Sequence, residues 1–173
     1  KNDFKQVRKT FDNLIEVCKK HNTAIRIGVN HGSLSQRIMD EYGDTPEGMV
    51  QSAIEFLEIC QQNNFHKNVV SLKSSNTRVM VQSNRLLINQ MLKKHLLYPV
   101  HLGVTEAGEG EDGRIKSAVG IGTLLTDGIG DTIRVSLTES PEKEIPVARK
   151  IIDYILSKAD HETFPDIKSN PID

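Results

Sequence analysis

The sequence predicts an α/β fold on a parallel sheet, of the (β/α)8 TIM-type barrel class rather than an open doubly wound sheet. Two patterns predict the parallel sheet. Four segments carry apolar side chains at alternate positions: AIRIGVN (Ala24 to Asn30), VVSLKSS (Val69 to Ser75), PVHLGVTEA (Pro99 to Ala107) and TIRVSLT (Thr132 to Thr138). Helix-period patterns fill the intervals, and strand starts near Ala24, Asn68, Pro99 and Thr132 leave roughly 30 to 45 residues per unit, the length a βαβ crossover requires. A third observation selects the barrel. The second parity of each strand is glycine, small or polar, as a barrel interior accepts, and no glycine-rich dinucleotide turn follows the first strand.

The opening helix repeats Phe4, Val7, Phe11, Leu14 and Cys18 on one face. Because successive strand side chains point to opposite faces, Ile25, Ile27 and Val29 of the first strand face covering helices. A loop follows Asn30, and a second helix then presents Met49, Ala53, Phe56, Leu57 and Cys60. Asp44 or Thr45 supplies its cap, and Pro46 is tolerated in a first turn that needs no donor there. The second strand turns Val70 and Leu72 to the helices. A third helix from Thr77 to Lys94 carries Met80, Leu87 and Met91, flanked by Ile88 and Leu92. After a third strand with Val100, Leu102 and Val104, a fourth helix uses Ile115, Ala118, Val119, Gly122 and Leu125 and ends at Gly128, a left-handed cap. The fourth strand offers Ile133, Val135 and Leu137, and a fifth helix after Ser140 and Pro141 carries Ile145, Ala148, Ile152 and Ile155. Residues 1–159 therefore read as one partial barrel. The stretch DHETFPDIKSNPID at 160–173 loses all periodicity and reads as a tail or linker.

A chain of 173 residues is long enough for one well-filled core and short for two. Its formal net charge of -1 and pI near 6.7 argue against nucleic acid or an anionic membrane held by bulk charge, so any basic site must be local. No apolar run approaches the roughly 20 residues that span a bilayer, and no signal segment opens the chain, which suits a soluble cytoplasmic protein. The first residue is Lys1, followed almost at once by a helix, as expected of a piece of something longer. Cys18 and Cys60 each sit inside a helical pattern, far apart in sequence, as core residues of a reducing compartment without metal-ligand spacing.

The candidate site lies on the second strand parity. It gathers Arg26, Gly28, Asn30, Ser71, Lys73, Ser75, His101, Gly103, Thr105, Arg134 and Ser136, so that three strands each aim a cation at one space. A guanidinium fork matches phosphate oxygens, an ammonium adds a compact charge, and a hydroxyl adds a donor. Without acidic partners such convergence is costly unless an anion fills it; the alternative is that each cation pairs with a carboxylate from another strand or extends to solvent. Strand mouths, where function in parallel α/β folds resides, end in Asn30 and His31, Ser75 and Asn76, Thr105 and Glu106, and Ser136. His31 is kept as a candidate for its position directly after Asn30. Glu106 is off parity, and is either a loop carboxylate near the next helix or an acid beside the anion. No histidine pair sits at a metal-binding interval, so no metal is assigned.

At these strand ends RIGVNHGSL, MVQSAIEF, LKSSN, HLGVTEAGEGEDGRIKSAVGIGTLL and GIGDTIRVSLTE resemble the 4-hydroxy-3-methylbut-2-enyl diphosphate synthase family of the methylerythritol phosphate isoprenoid pathway. The likeness runs from Arg26 to Glu139, and NHGSLSQRIMDEYGDTP with GEGEDG is closer to the large-insert form of plants and chlamydiae. The resemblance implies a (β/α)8 barrel that binds 2-C-methyl-D-erythritol 2,4-cyclodiphosphate, with a separate domain carrying a four-iron four-sulfur (4Fe-4S) cluster and ferredoxin or flavodoxin as electron donor. By similarity Arg26, Asn30, Lys73, Arg134 and Ser136 match substrate-binding positions, and Glu106 matches an acidic residue near the reacting carbon. A closed barrel needs eight strands and only four patterns occur, while Cys18 and Cys60 match no cluster ligand. The expectation is therefore the C-terminal half of the catalytic barrel, four parallel strands with five helices, inactive alone and self-associating through its open edges. The resemblance places it in bacterial cytoplasm, or in a plastid if from a plant. Two other readings remain from the residues: an aldolase-type barrel with Lys73 as Schiff base, and a non-catalytic phosphate-binding or assembly module.

Overall fold

The computed structural model describes residues 2–159, and the linker expected at 160–173 lies outside them. Its element order is α1 (Asn2–Lys20), β1 (Ile25–Asn30), α2 (Gln36–Tyr42), α3 (Pro46–Gln62), β2 (Asn68–Lys73), α4 (Thr77–Lys94), β3 (His101–Gly103), α5 (Gly110–Thr126), β4 (Thr132–Arg134), a short 3-10 turn (Pro141–Lys143) and α6 (Glu144–Leu156). All strand pairs are parallel. The ladders form two pairs, β1 with β2 and β3 with β4, instead of one unbroken four-strand ladder. Isolated bridges Val70↔Val100 and Ser74↔Val104 carry the same parallel register between β2 and β3. Pro99 O accepts from Val70 N at 2.9 Å and Ser74 O accepts from Thr105 N at 3.2 Å, so β2 and β3 are joined at both ends and the ladder is interrupted between them.

The helices enclose one core against the apolar strand parity, with Ile27, Val29, Val70, Leu72, Val100, Leu102, Val104 and Val135 buried as expected. Thr45, not Asp44, caps α3, its hydroxyl accepting from Gly48 N at 3.1 Å. Asn76 caps α4 by accepting from Arg78 N and Val79 N, and the helix ends on His95 in the left-handed region. Buried Asn84 ties α4 to the sheet by donating to Leu72 O at 3.1 Å. Gly128, at φ +75°, turns the chain after α5 as expected.

Five expectations about helices need correction. A sixth helix, α2, occupies part of the expected loop; two turns are too short to show a stripe. On α1 the fully buried residue is Ile15, while Val7 and Leu14 are exposed, so the inner face is rotated toward Phe11, Ile15 and Cys18. On α4 Leu92 is exposed. On α5 Ile115 and Val119 are 54% and 52% exposed, and the buried side is Gly113, Ser117, Gly120, Ile121, Gly122 and Leu124. Glycine decides that face, because a Cβ at Gly120 would lie 2.7 Å from Val104 Cγ2 and one at Gly113 2.6 Å from Gly108 O. On α6 Ile151 is buried, with Val147 and Ala148 packed partly against the core, while Ile145 is 64% exposed.

Candidate anion site on the inner strand face

Parallel register turns the polar parity into rows. The β1–β2 pairs Gly28↔Ser71 and Asn30↔Lys73, the constant offset of the two β2–β3 bridges, and the β3–β4 pairs His101↔Thr132 and Gly103↔Arg134 line up two adjacent rows. The deeper row is Gly28, Ser71, His101 and Thr132. The row nearer the strand mouths is Asn30, Lys73, Gly103 and Arg134. Arg26 lies one step below the deeper row and alternates outward from buried Ile25 and Ile27.

The expected cations do share this face. Arg26 and Arg134 are exposed on it and Lys73 is half-buried. Among the described residues the ion pairs involve other side chains, and none uses Arg26, Lys73 or Arg134. Lys73 feels both neighbours: burial first, then the charges of Arg26 and Arg134, lower its pKa. A Cβ at Gly103 would lie 3.2 Å from Lys73 Cε and 3.4 Å from Nζ, so the lysine arm crosses the strand where glycine leaves room.

His101, which the strand parity places on this face but to which the sequence assigns no role, proves to be part of the group. It is buried, its Nδ1 lies 2.8 Å from Thr132 Oγ1, and its Nε2 has no hydrogen-bond partner. Burial, then Lys73, Arg26 and Arg134 in turn, depress its pKa below the ordinary histidine value. Its parity was the available signal; the partner and the charge field were not.

The mouth is built by loops. His31 is tied in place, with its N–H donating to Lys73 O at 3.0 Å and Nε2 3.5 Å from Asp44 Oδ2, while Asp44 Oδ1 accepts from Gly32 N at 3.1 Å. Asp44 thus secures the loop after β1 instead of capping α3. Glu106 follows β3, exposed, at φ +50°, a left-handed conformation costing a non-glycine residue about 1 to 2 kcal/mol. The structure does not bring it into an ion pair with the cations. Ser136 lies two residues beyond β4, half-buried between buried Val135 and Leu137.

A clamp that the sequence did not reveal joins the two later mouth loops. Arg114 holds Glu139 through Nη1–Oε1 at 2.5 Å and Nη2–Oε2 at 3.0 Å, and Glu139 Oε1 accepts from Gly110 N at 2.9 Å. Thr138 N also donates to Gly108 O at 3.0 Å. Arg114, then the Gly110 bond and the Lys143 charge, hold the Glu139 carboxyl at a pKa of about 2.

The residues do not fit an iron–sulfur cluster. Both cysteines are buried in the helical layer, and burial pushes the Cys60 thiol up to about 11, far from the thiolate a cluster needs. Among the described residues no group of three or more His, Cys, Asp or Glu could hold a metal ion.

Parallel βα units with their polar parity on one face define a TIM-barrel-type α/β domain. Residues 3–149 match the family model described as the GcpE TIM-barrel domain, and the chain belongs to that family. It is 64% identical over 159 residues to 4-hydroxy-3-methylbut-2-en-1-yl diphosphate synthase (flavodoxin) of Parabacteroides distasonis, covering 92% of this chain and 26% of that protein. It is 57% identical over 158 residues to the chloroplastic (ferredoxin) synthase of Oryza sativa subsp. japonica, covering 91% and 21%. The corresponding protein of Protochlamydia amoebophila is 59% identical over 150 residues, covering 87% and 23%. The chain thus spans about a quarter of the length of the curated relatives it matches.

Proposed function

We propose that this chain is the C-terminal half of a catalytic (β/α)8 barrel and supplies the diphosphate-holding side of an enzyme that reductively opens 2-C-methyl-D-erythritol 2,4-cyclodiphosphate to 4-hydroxy-3-methylbut-2-enyl diphosphate. The observation that carries this reading is three cations from three strands, β1, β2 and β4, on one face, without carboxylate partners among the described residues. Arg26, Lys73 and Arg134 neutralise the diphosphate, Asn30 and Ser136 orient it by hydrogen bonds, and His31 steadies the mouth. Glu106, with its strained backbone, is the acid that delivers a proton beside the reacting carbon. Cluster ligands lie elsewhere in the full-length protein, which takes electrons from flavodoxin or ferredoxin, the donors in the relatives' names. Residues 1–159 are the half barrel, and 160–173 lead toward the insert. The location is the bacterial cytoplasm, or a plastid for a plant source.

Arg26→Ala or Arg134→Ala in the full-length protein should weaken substrate binding by about 1.5 to 3 kcal/mol, with cluster absorbance intact. Unchanged kinetics in both variants refute the assignment. The outer edges of β1 and β4 lack strand partners among the described residues, so the isolated chain should self-associate; a clean monomer in sedimentation at high concentration contradicts this.

One observation favours a second reading. The lowered pKa of half-buried Lys73 suits a Schiff-base amine, and borohydride trapping of a carbonyl substrate at Lys73 would establish it.

A further inference from the structure

His101 is a buried polar side chain of this face to which the diphosphate reading gives no task. It sits one row below Lys73 on the same face, is 9% exposed, and has one ring nitrogen engaged by Thr132 and the other unpartnered. A buried polar atom without a partner is expensive, and at a site it signals a ligand or a proton yet to arrive. The charged groups bearing on the ring are all positive: Lys73 from β2, Arg26 from β1 and Arg134 from β4. Asp131, the acid that precedes β4, accepts from Val100 N at 2.7 Å through its carboxylate. Three cations keep the ring neutral, with Nδ1 in a hydrogen bond with Thr132 Oγ1.

We propose that His101 is a proton-accepting floor beneath the anion site: neutral while the face holds only its own cations, it takes up one proton from solvent when a diphosphate settles on the row above it, and the imidazolium charge then holds the anion through the field. The inference rests on the diphosphate reading and deepens it. The physical cause is a reversal of field. Before binding, every charge near the ring opposes an imidazolium; afterwards the anion offsets those charges and favours it. Burial sharpens the exchange, because solvent screens it poorly. His101 is on this account a substrate-positioning residue, and affinity for the anion rises as pH falls toward the histidine's own titration.

The test is calorimetry of the full-length protein near pH 7 with 2-C-methyl-D-erythritol 2,4-cyclodiphosphate, in two buffers of different ionisation heat. The probe suits the purpose because a cyclic diphosphate diester carries no proton that titrates near neutrality. Proton uptake approaching one per site is expected, disappearing in His101→Gln, which should bind roughly tenfold more weakly because the imidazolium charge beneath the anion is lost. Should His101→Gln not fold, ring NMR of the unaltered protein gives the same reading: the His101 titration midpoint should rise when ligand is added. Tight binding without proton uptake and with an unmoved midpoint overturns the His101 role and leaves the site intact. Uptake that persists in His101→Gln assigns the proton to another group and also overturns it. Absence of any binding removes the diphosphate reading itself.

Discussion

Gly103 gives the most direct way to ask whether Lys73 is aimed by the strand it crosses. In Gly103→Ala the new methyl would meet Lys73 Cε at 3.2 Å and Arg134 O at 3.0 Å. Carbon atoms pack comfortably from about 3.5 Å, so the lysine tip must withdraw by roughly 0.3 Å, while the Arg134 carbonyl, being backbone, yields less readily. An ammonium bond to a phosphate oxygen is optimal over about 2.7 to 2.9 Å, and its complete loss is worth about 1.5 to 3 kcal/mol. A displaced rather than deleted amine should therefore lose about 1 kcal/mol, near fivefold in Kd. Calorimetric titration with the cyclic diphosphate checks the value, and a double-mutant cycle with Lys73→Ala checks the route. In the Lys73→Ala background, Gly103→Ala should cost nothing more in affinity, leaving a coupling of about 1 kcal/mol. Additive losses, or an unchanged Kd in Gly103→Ala beside a weakened Lys73→Ala, would refute the argument that glycine is there to let the lysine pass.

Two glycines of α5 should respond in opposite directions. Gly120→Ala forces a methyl to 2.7 Å from Val104 Cγ2 and should destabilise by about 1 to 3 kcal/mol, whereas Gly122→Ala meets nothing within 4 Å and should stabilise by about 0.5 to 1 kcal/mol; urea midpoints decide. Glu139 has a carboxyl depressed from 4.5 to about 2, so its contribution is present above 4.5 and is lost as pH falls through about 2. The stability gap between the unaltered protein and Glu139→Gln should accordingly be full at pH 6 and close as pH falls from about 4.5 to 2, as read by denaturant midpoints; a gap independent of pH would contradict the clamp.

The parity of the strands was legible because alternation is a direct imprint of the pleat, and Ile25, Ile27 and Val29 lie buried where alternation puts them. Helix α4 was legible for a similar reason, its stripe being written by Met80, Leu87 and Met91, while its Asn76 cap emerged only in the structure. Helix α5 was misread because hydropathy rewards bulk. Its inner side is chosen for smallness, with Gly113, Ser117 and Gly120 admitting the chain close to β3 and its loop, which leaves Ile115 and Val119 outside. The three cations were visible from parity alone, but the role of His101 was not, since it depends on the β3–β4 register that brings Thr132 alongside. The Arg114–Glu139 pair was hidden by a separation of 25 residues, bridged only once the two loops are folded side by side.

That pair has a mechanical meaning. With Gly108 O, Gly110 N and Arg114 all fastened to Thr138 and Glu139, the segment carrying Glu106 and the segment carrying Ser136 behave as a single rigid lip. Lengthening either one alone would strain three anchors together, which ties the spacing of the acid's loop to that of the hydroxyl's.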